Sequence, residues 1–143
     1  KRVEFAIMMT NYLGINVDEY ADVNLPFTDN DDIPWWAENN VKAVYSLGLM
    51  KGQLGQFGTA FNPNADINRM EFAISLNRLL PAGLYSEPIT AADADEIPFW
   101  AEESMKTAVA QGIMSGYPDG TLKPFKSVSR AEAVKMVYNI FGM

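Results

Sequence analysis

The chain contains no cysteine and no histidine. Without thiols there is no disulfide framework and no thiolate nucleophile, and without imidazole the Ser-His-Asp machinery and most transition-metal sites go too. The missing cysteines fit either a reducing interior or a cell surface that avoids stray thiols, so they leave the compartment open. Long apolar runs are also missing. No stretch approaches the ~18 residues of a membrane span, and no basic-then-apolar leader pattern opens the chain, so no membrane insertion is expected. Basic residues are scarce, 11 against 18 acidic ones, for a net charge of −7. Nucleic acid and anionic membrane are therefore poor partners, because so acidic a surface displaces few of their counterions. Screening over about 8–10 Å still allows a local arginine cluster to hold an anion.

What the chain does have is repetition. IPWWAENNVKAVYSLGLMKG (Ile33 to Gly52) aligns with IPFWAEESMKTAVAQGIMSG (Ile97 to Gly116) at a constant offset of 64 and without a gap. Downstream, FNPNADINRMEF (Phe61 to Phe72) aligns with LKPFKSVSRAEA (Leu122 to Ala133), after the earlier copy's loop has taken three extra residues. Pro63 falls on Pro124 and Arg69 on Arg130. A third version of this second half opens the chain as KRVEFAIMMTNYLGI, with Arg2 and Glu4 in the places of Arg130 and Glu132. Each copy is thus a Trp-bearing helix ending at glycine, a glycine-rich loop with a short extended piece, and an Arg-bearing helix. The sequence reads as entering partway through a first copy, which gives an Arg half over 1–20 and full copies over 21–83 and 84–143. Asn16 to Pro26 and Pro81 to Ile89 read as connectors.

Apolar residues at spacings of three and four support the helices. Trp36, Ala37, Val41, Val44 and Tyr45 predict a buried stripe, as do Trp100, Ala101, Met105, Ala108 and Val109, and this places the tryptophans in the core. Pro34 and Pro98 suit a first helical turn, and Gly48 and Gly112 a left-handed stop. In the Arg helices the stripes are Phe72, Ala73, Leu76, Leu79 and Leu80, and Ala133, Val134, Val137, Tyr138 and Phe141. Ser129 with Glu132 forms a capping box and Asn68 with Glu71 a close variant, which assigns Glu4, Glu71 and Glu132 to capping. Lys1 cannot cap. Helix pairs this short bury little alone, so the copies must pack on one another in a mainly helical assembly with the Arg helices at a shared seam.

Arg2, Arg69 and Arg130 each occupy the first helical position of the motif, where the macrodipole opposes a cation by roughly 0.3–1 kcal/mol. Lysine serves almost everywhere else. A planar fork is required where a carboxylate or phosphate is held bidentately, and beside free N–H groups it makes a compact anion site. The alternative is an internal ion pair, for instance with Asp29, Asp93 or an acid of a neighbouring copy. The loop SGYPDGTLKP (Ser115 to Pro124) is a second candidate, since its glycine-flanked turn can offer backbone N–H groups and Tyr117 an aromatic face. Otherwise it is a plain tight turn. In the preceding copy KGQLGQFGTAFNP lacks the Tyr-Pro-Asp-Gly core, with Lys51, Gln53 and Gln56 as substitute polar contacts. The acidic TDNDDI (Thr28 to Ile33) lacks the glycine and distal glutamate of a calcium loop and reads as N-capping by Asp31 or Asp32. Glu102 and Glu103 are adjacent on a helix and point apart, so no acid/base dyad is indicated and no cofactor is implied.

Taken in order, Asp29 or Asp93, Trp36-Ala37 or Trp100-Ala101, Gly-Leu/Ile-Met-x-Gly, Gly-Tyr-x-Asp-Gly-Thr, Pro and x-Arg-x-Glu resemble the S-layer homology (SLH) domain. The resemblance covers nearly the whole chain, and Asp93 to Met143 is the better copy. It implies a three-pronged pseudo-trimeric spindle whose inter-repeat grooves bind a secondary cell-wall polysaccharide, typically through a pyruvylated sugar. The implied role is a non-catalytic anchor at a bacterial cell surface, with peptidoglycan or other S-layer subunits as alternative partners. Arg2, Arg69 and Arg130 would meet the anionic ketal, and Gly116, Tyr117, Asp119 and Gly120 would line the loop side. Trp36, Trp100, Asp29 and Asp93 join them in the implied ligand-binding set. Lys1 and Asn68 stand where the family has Thr, Ala91 where it has Phe, and the middle loop is enlarged, which lowers the expected number of working grooves to one or two.

Overall fold

The computed structural model describes residues 1–81, 83–84 and 86–141, with the side chain of Phe141 outside that description. The connector over Pro81 to Ile89 is therefore described only in part. The fold is mainly helical, and the chain divides into two compact units, Lys1–Asp66 and Ile67–Met143. This division is out of phase with the sequence copies. Each unit begins with the Arg helix of one copy and continues through the Trp helix and loop of the next.

In the first unit α1 (Arg2–Tyr12) packs against α2 (Glu38–Ser46). Phe5, Ala6 and Met9 from α1 and Val41, Ala43 and Val44 from α2 are buried, together with Phe27 and Phe61. Asn40 Nδ2 donates to Thr10 Oγ1 at 2.7 Å and ties the two helices together. The chain then forms an antiparallel hairpin of β1 (Gln53–Gly55) and β2 (Gly58–Ala60), with Gln53 opposite Ala60 and Gln56-Phe57 at its tip. Gly52 allows the entry to this hairpin. Its φ is +83°, and a Cβ there would lie 2.6 Å from the Phe27 ring.

In the second unit α3 (Arg69–Asn77) packs on α4 (Glu102–Ala110) and on α5 (Arg130–Phe141). Its core is built from Met70, Phe72, Leu76, Met105, Ala108, Ile113, Met114, Leu122, Met136 and Val137. Asn68 Oδ1 caps α3 by accepting from Glu71 N at 2.7 Å, and Ser129 Oγ accepts from Glu132 N at 3.1 Å, as the capping pattern predicts.

The first-turn N–H groups of α1 and α3 find a second kind of partner. Arg2 N and Val3 N donate to the carbonyls of Ala65 and Pro63 at 2.9 and 3.1 Å. Arg69 N and Met70 N donate to those of Lys126 and Pro124, both at 2.9 Å. The proline segment of the next copy therefore supplies acceptors to the Arg helix of the copy before. Lys1 provides no side-chain cap, and these carbonyls satisfy the donors in its place.

Several sequence expectations are corrected here. Trp36 and Trp100 are 57% and 69% exposed. They lie in tight three-residue turns, Trp35–Ala37 and Phe99–Ala101, that precede the α-helices, and there Ala37 and Ala101 take the buried position. The different winding of such a turn carries the tryptophan off the helical stripe. Pro34 and Pro98 sit just before these turns in extended conformation. On α5 the buried stripe is Ala133, Met136 and Val137, which leaves Val134 and Tyr138 more than half exposed. Asp31 and Asp32 form part of a short turn, Asn30–Asp32, and α2 begins six residues later, so neither caps it.

Candidate functional site

Arg69 begins α3 and is 6% exposed. Its Nε donates to the Leu122 carbonyl at 3.0 Å and one terminal nitrogen to that of Ser115 at 2.8 Å. The other terminal nitrogen is ion-paired and hydrogen-bonded to Glu132 Oε2. Among the described residues, three of the guanidinium's five N–H groups are thus engaged, which leaves one on each terminal nitrogen. This accounts for a cation at a helix start. Two carbonyls and a carboxylate outweigh the unfavourable end of the dipole.

The Tyr117 ring lies against the same guanidinium, 4.6 Å from its central carbon, and Lys123 Nζ approaches the ring at 4.5 Å. Lys126 Nζ lies 5.8 Å from the ring and 3.3 Å from Glu132 Oε1. An aromatic ring surrounded by three cations keeps those charges close together, since its face carries partial negative charge. Arg69, Ser115, Gly116, Tyr117, Glu132 and Lys135 line a cleft of about 250 Å³, floored by Ile113, Met114 and Met136. Gly116 has little freedom to change, because a Cβ would stand 3.1 Å from the Thr121 carbonyl.

The loop behind Tyr117 is closed on itself. Gly120 N donates to the Tyr117 carbonyl at 2.9 Å and Tyr117 N to that of Thr121 at 2.8 Å. Asp119 Oδ1 accepts from the Thr121 amide and hydroxyl at 3.0 and 2.6 Å. The expectation that this turn offers free amides is therefore corrected for Tyr117 and Gly120. Asp119 shapes the turn, and neither Asp119 nor Gly120 lines the cleft.

Asp93 and Asp29 hold the loops in place. The Asp93 carboxylate accepts from Leu122 N and Lys123 N at 2.8 and 2.9 Å, and Asp29 accepts from Phe61 N and Asn62 N, both at 2.8 Å. Each pair of bonds fixes a left-handed residue, Lys123 at φ +50° and Asn62 at φ +56°. The carboxylates thus bind backbone amides, and Glu132 is the acid that pairs with Arg69. Among the described residues, no group of three or more acidic side chains is placed to share a metal ion.

The electrostatics follow from these contacts. Hydrogen bonds from the Leu122 and Lys123 amides hold the Asp93 carboxyl below its ordinary value, against the opposing effect of burial. For Glu132 burial acts upward, but the bonds from Arg69 and Lys126 outweigh it and the carboxyl is lowered. Lys126 is raised, chiefly by its bond to Glu132. Asp119 is lowered by the Thr121 hydroxyl and amide.

Arg2 is the counterpart in the first unit. It is 3% exposed, its Nε donates to the Phe61 carbonyl at 2.7 Å, and its guanidinium lies 5.4 Å from the Phe61 ring. Gln53, which aligns with Tyr117, accepts from Asn62 Nδ2 at 2.7 Å and offers no aromatic face. Arg130 is exposed at the start of α5, outside the cleft lining. The structure therefore brings Arg69, Gly116 and Tyr117 together, and leaves Trp100, Asp93, Asp119, Gly120 and Arg130 outside that cleft. Sequence reasoning missed Glu132, Lys123, Lys126 and Lys135. Glu132 was visible as part of Arg-x-Glu, but its capping role masked its second one.

The S-layer homology domain model matches residues 26–73 and 92–134, most of the chain. The chain belongs to the S-layer homology domain family. Each matched segment runs from the connector before an SLH Trp helix into the following Arg helix, so the cleft beside Arg69 combines residues from both. Relatives of this chain include cell surface glycoprotein 1 and a cellulosome-anchoring protein, both of Acetivibrio thermocellus. Each is 32% identical over 95% of this chain, and the matched region spans 6% and 30% of their respective lengths. S-layer protein EA1 of Bacillus anthracis is 32% identical over 95% of the chain, which spans 15% of that protein. Among the described residues no helix is long and apolar enough to cross a membrane.

Proposed function

We propose that this SLH chain is a non-catalytic module that anchors a larger protein to a bacterial cell wall by binding an acidic secondary cell-wall polysaccharide. A pyruvylated sugar is the ligand that best suits the site. The observation that carries the reading is Arg69, held rigidly by three protein acceptors beside an open cleft, with one N–H left on each terminal nitrogen for an anionic group. Lys135 on the cleft wall and the lysines around Tyr117 add positive potential to an otherwise acidic chain. Glu132 offsets part of it, which favours a singly charged group in the cleft, such as a ketal carboxylate, over a doubly charged one. Arg2 and Arg130 are candidates for equivalent roles, with Arg2 lacking the tyrosine platform. The named relatives, which include surface, S-layer and cellulosome-anchoring proteins, support the anchoring role and a cell-surface location.

Cosedimentation with purified wall sacculi, before and after removal of their accessory polysaccharide, tests the reading. Binding that disappears on stripping is the expected result. Binding that survives stripping transfers the role to peptidoglycan, and no binding to either preparation favours an assembly module in which the arginines serve protein contacts.

A further inference from the structure

In the first unit the enlarged loop of the middle copy forms the hairpin β1-β2, whereas the shorter loop of the second unit closes as a turn between Tyr117 and Thr121. The hairpin carries two large apolar side chains outward. Leu54 and Phe57 are each 87% exposed, while Phe61, just beyond β2, fills the core. From Gly52 to Ala65 there is no charged side chain, in a protein that is 20% charged and carries −7 overall. Exposed apolar surface bare of charge marks an interaction site.

The backbone decides what kind of partner suits it. β2 is covered on its far side, where Thr28 N donates to the Thr59 carbonyl at 3.0 Å. That bond shows the polar groups of Thr59 facing away from β1, so Thr59 and Leu54, which lie opposite each other, are a non-hydrogen-bonded pair of the ladder. The amide and carbonyl of Leu54 therefore face away from β2 as well, and among the described residues neither meets a hydrogen-bonding partner. Edge strands are ordinarily blunted by lysine or proline. β1 carries neither.

A second copy of this chain fits that edge. A two-fold axis beside β1 sets Leu54 opposite Leu54 of the other copy, each amide donating to the other's carbonyl, and joins the two hairpins into one four-stranded antiparallel sheet. The two leucine side chains then share a face. Three residues to either side of Leu54, the same register brings Phe57 of each copy level with Lys51 of the other, an exposed lysine whose ammonium complements the ring. Two chains of −7 otherwise repel, and contact through an uncharged hairpin keeps their acidic surfaces apart. We propose that β1 pairs antiparallel with β1 of a second copy, forming a two-fold dimer through the middle-copy hairpin. The strand is short, so the interface falls below the ~1,200 Å² of stable complexes and a Kd of about 0.1–1 mM is expected. Copies held side by side on one surface reach such concentrations. No hairpin residue lines the Arg69 cleft, so the pairing is independent of the glycan reading.

Sedimentation equilibrium from about 0.02 to 2 mM is expected to show a reversible monomer–dimer equilibrium. Leu54→Pro removes the outward N–H and spares the ladder to β2, and Leu54→Asp sets two like charges opposite each other. Each is expected to weaken dimerisation at least about tenfold while the helical circular dichroism is retained. The lack of cysteine in the chain allows a direct test of register. Opposed Cα atoms in a hydrogen-bonded antiparallel pair stand about 5.5 Å apart, within the span of a disulfide. Leu54→Cys is therefore expected to oxidise to a covalent dimer at least about tenfold faster than Glu103→Cys, at a position whose side chain is 83% exposed. Arg69→Lys is expected to leave dimerisation unchanged, so failure of the anion reading and failure of this one are separable. The proposal is overturned if the chain stays monomeric up to about 2 mM, if a dimer survives both Leu54 substitutions, if Leu54→Cys crosslinks no faster than Glu103→Cys, or if Leu54 and Phe57 instead carry the monomeric chain onto phosphatidylcholine vesicles.

Discussion

Arg69 and Glu132 form an ion pair across 63 residues of sequence. Each belongs to the Arg-x-Glu motif of a different copy, so the arginine of one repeat is held by the glutamate of the next. The motif thereby acts as a coupling between copies as well as a helix start.

Glu132→Gln keeps the shape and removes the charge. Loss of the pair is expected to lower the stability of the second unit by about 1–2 kcal/mol, since the glutamate is partly exposed and the amide still accepts a hydrogen bond. Affinity for an acidic glycan should stay level or rise, because a like charge leaves the cleft. Thermal melts paired with glycan calorimetry check the two directions, and a joint fall would contradict the placement of the ligand beside Arg69.

Arg69→Lys and Arg130→Lys separate positioning from exposure. At Arg69 a lysine cannot reach three acceptors at once, so stability should drop by about 1–3 kcal/mol and glycan affinity by about tenfold or more. At Arg130, which is exposed, stability should move by less than about 0.5 kcal/mol. If that arginine contributes its fork to a ligand, sacculus binding should nonetheless weaken. Wild-type binding in Arg130→Lys would remove it from the ligand set.

The lowered carboxyls make the second unit acid-sensitive. A carboxyl held below its unfolded value contributes stability in full above that value and loses it as the pH falls. For Glu132 and Asp93 the ordinary values are 4.5 and 3.8, so the loss should begin near the first and continue below the second. Asp93→Asn, which offers one acceptor oxygen to two amides, is expected to cost about 1–3 kcal/mol at neutral pH and to flatten the acid limb of the melting curve. Melting temperature against pH for both proteins reads this out. An unchanged slope would show that the clamp contributes no acid dependence.

Two glycines with similar backbone angles should respond differently to alanine. Gly52 and Gly120 have φ of +83° and +84°, but only Gly52 has neighbours where a Cβ would stand, at 2.6 Å from Phe27 and 3.0 Å from the Ala60 carbonyl. Gly120→Ala is expected to cost about 1–2 kcal/mol from backbone strain alone. Gly52→Ala should cost about 3 kcal/mol or more, since a packed ring must also move. Equal effects in denaturant titrations would mean that the Phe27 contact relaxes freely.

The mainly helical fold, the repeat and the caps at Asn68 and Ser129 were legible because each is a local pattern of spacing within a dozen residues. Arg69, Gly116 and Tyr117, which share one cleft, could be singled out as candidates through recurrence of the arginine and the turn chemistry around the tyrosine. The exposure of Trp36 and Trp100 was not legible. Whether a Trp-Ala pair begins an α-helix or a tighter turn shifts the side chain by a fraction of a turn, and apolar composition is the same in both cases. The roles of Asp29 and Asp93 were equally hidden, since a carboxylate that binds amides some thirty residues away carries no mark that separates it from one awaiting a ligand.

The linear order of residues alone settled what kind of chain this is: acidic, free of thiol and imidazole chemistry, and built from copies of one helix-loop-helix pattern. Tertiary packing decided which groups meet. It put Arg69 on Glu132 and Tyr117, gave the first-turn amides of α1 and α3 to the proline segments of the following copy, and turned the aromatic pairs outward. The reason is physical. Periodicity and caps arise from interactions within one or two helical turns, whereas ion pairs, stacking and amide clamps require segments far apart in sequence to be brought within a few ångströms, and only the burial of a shared core does that.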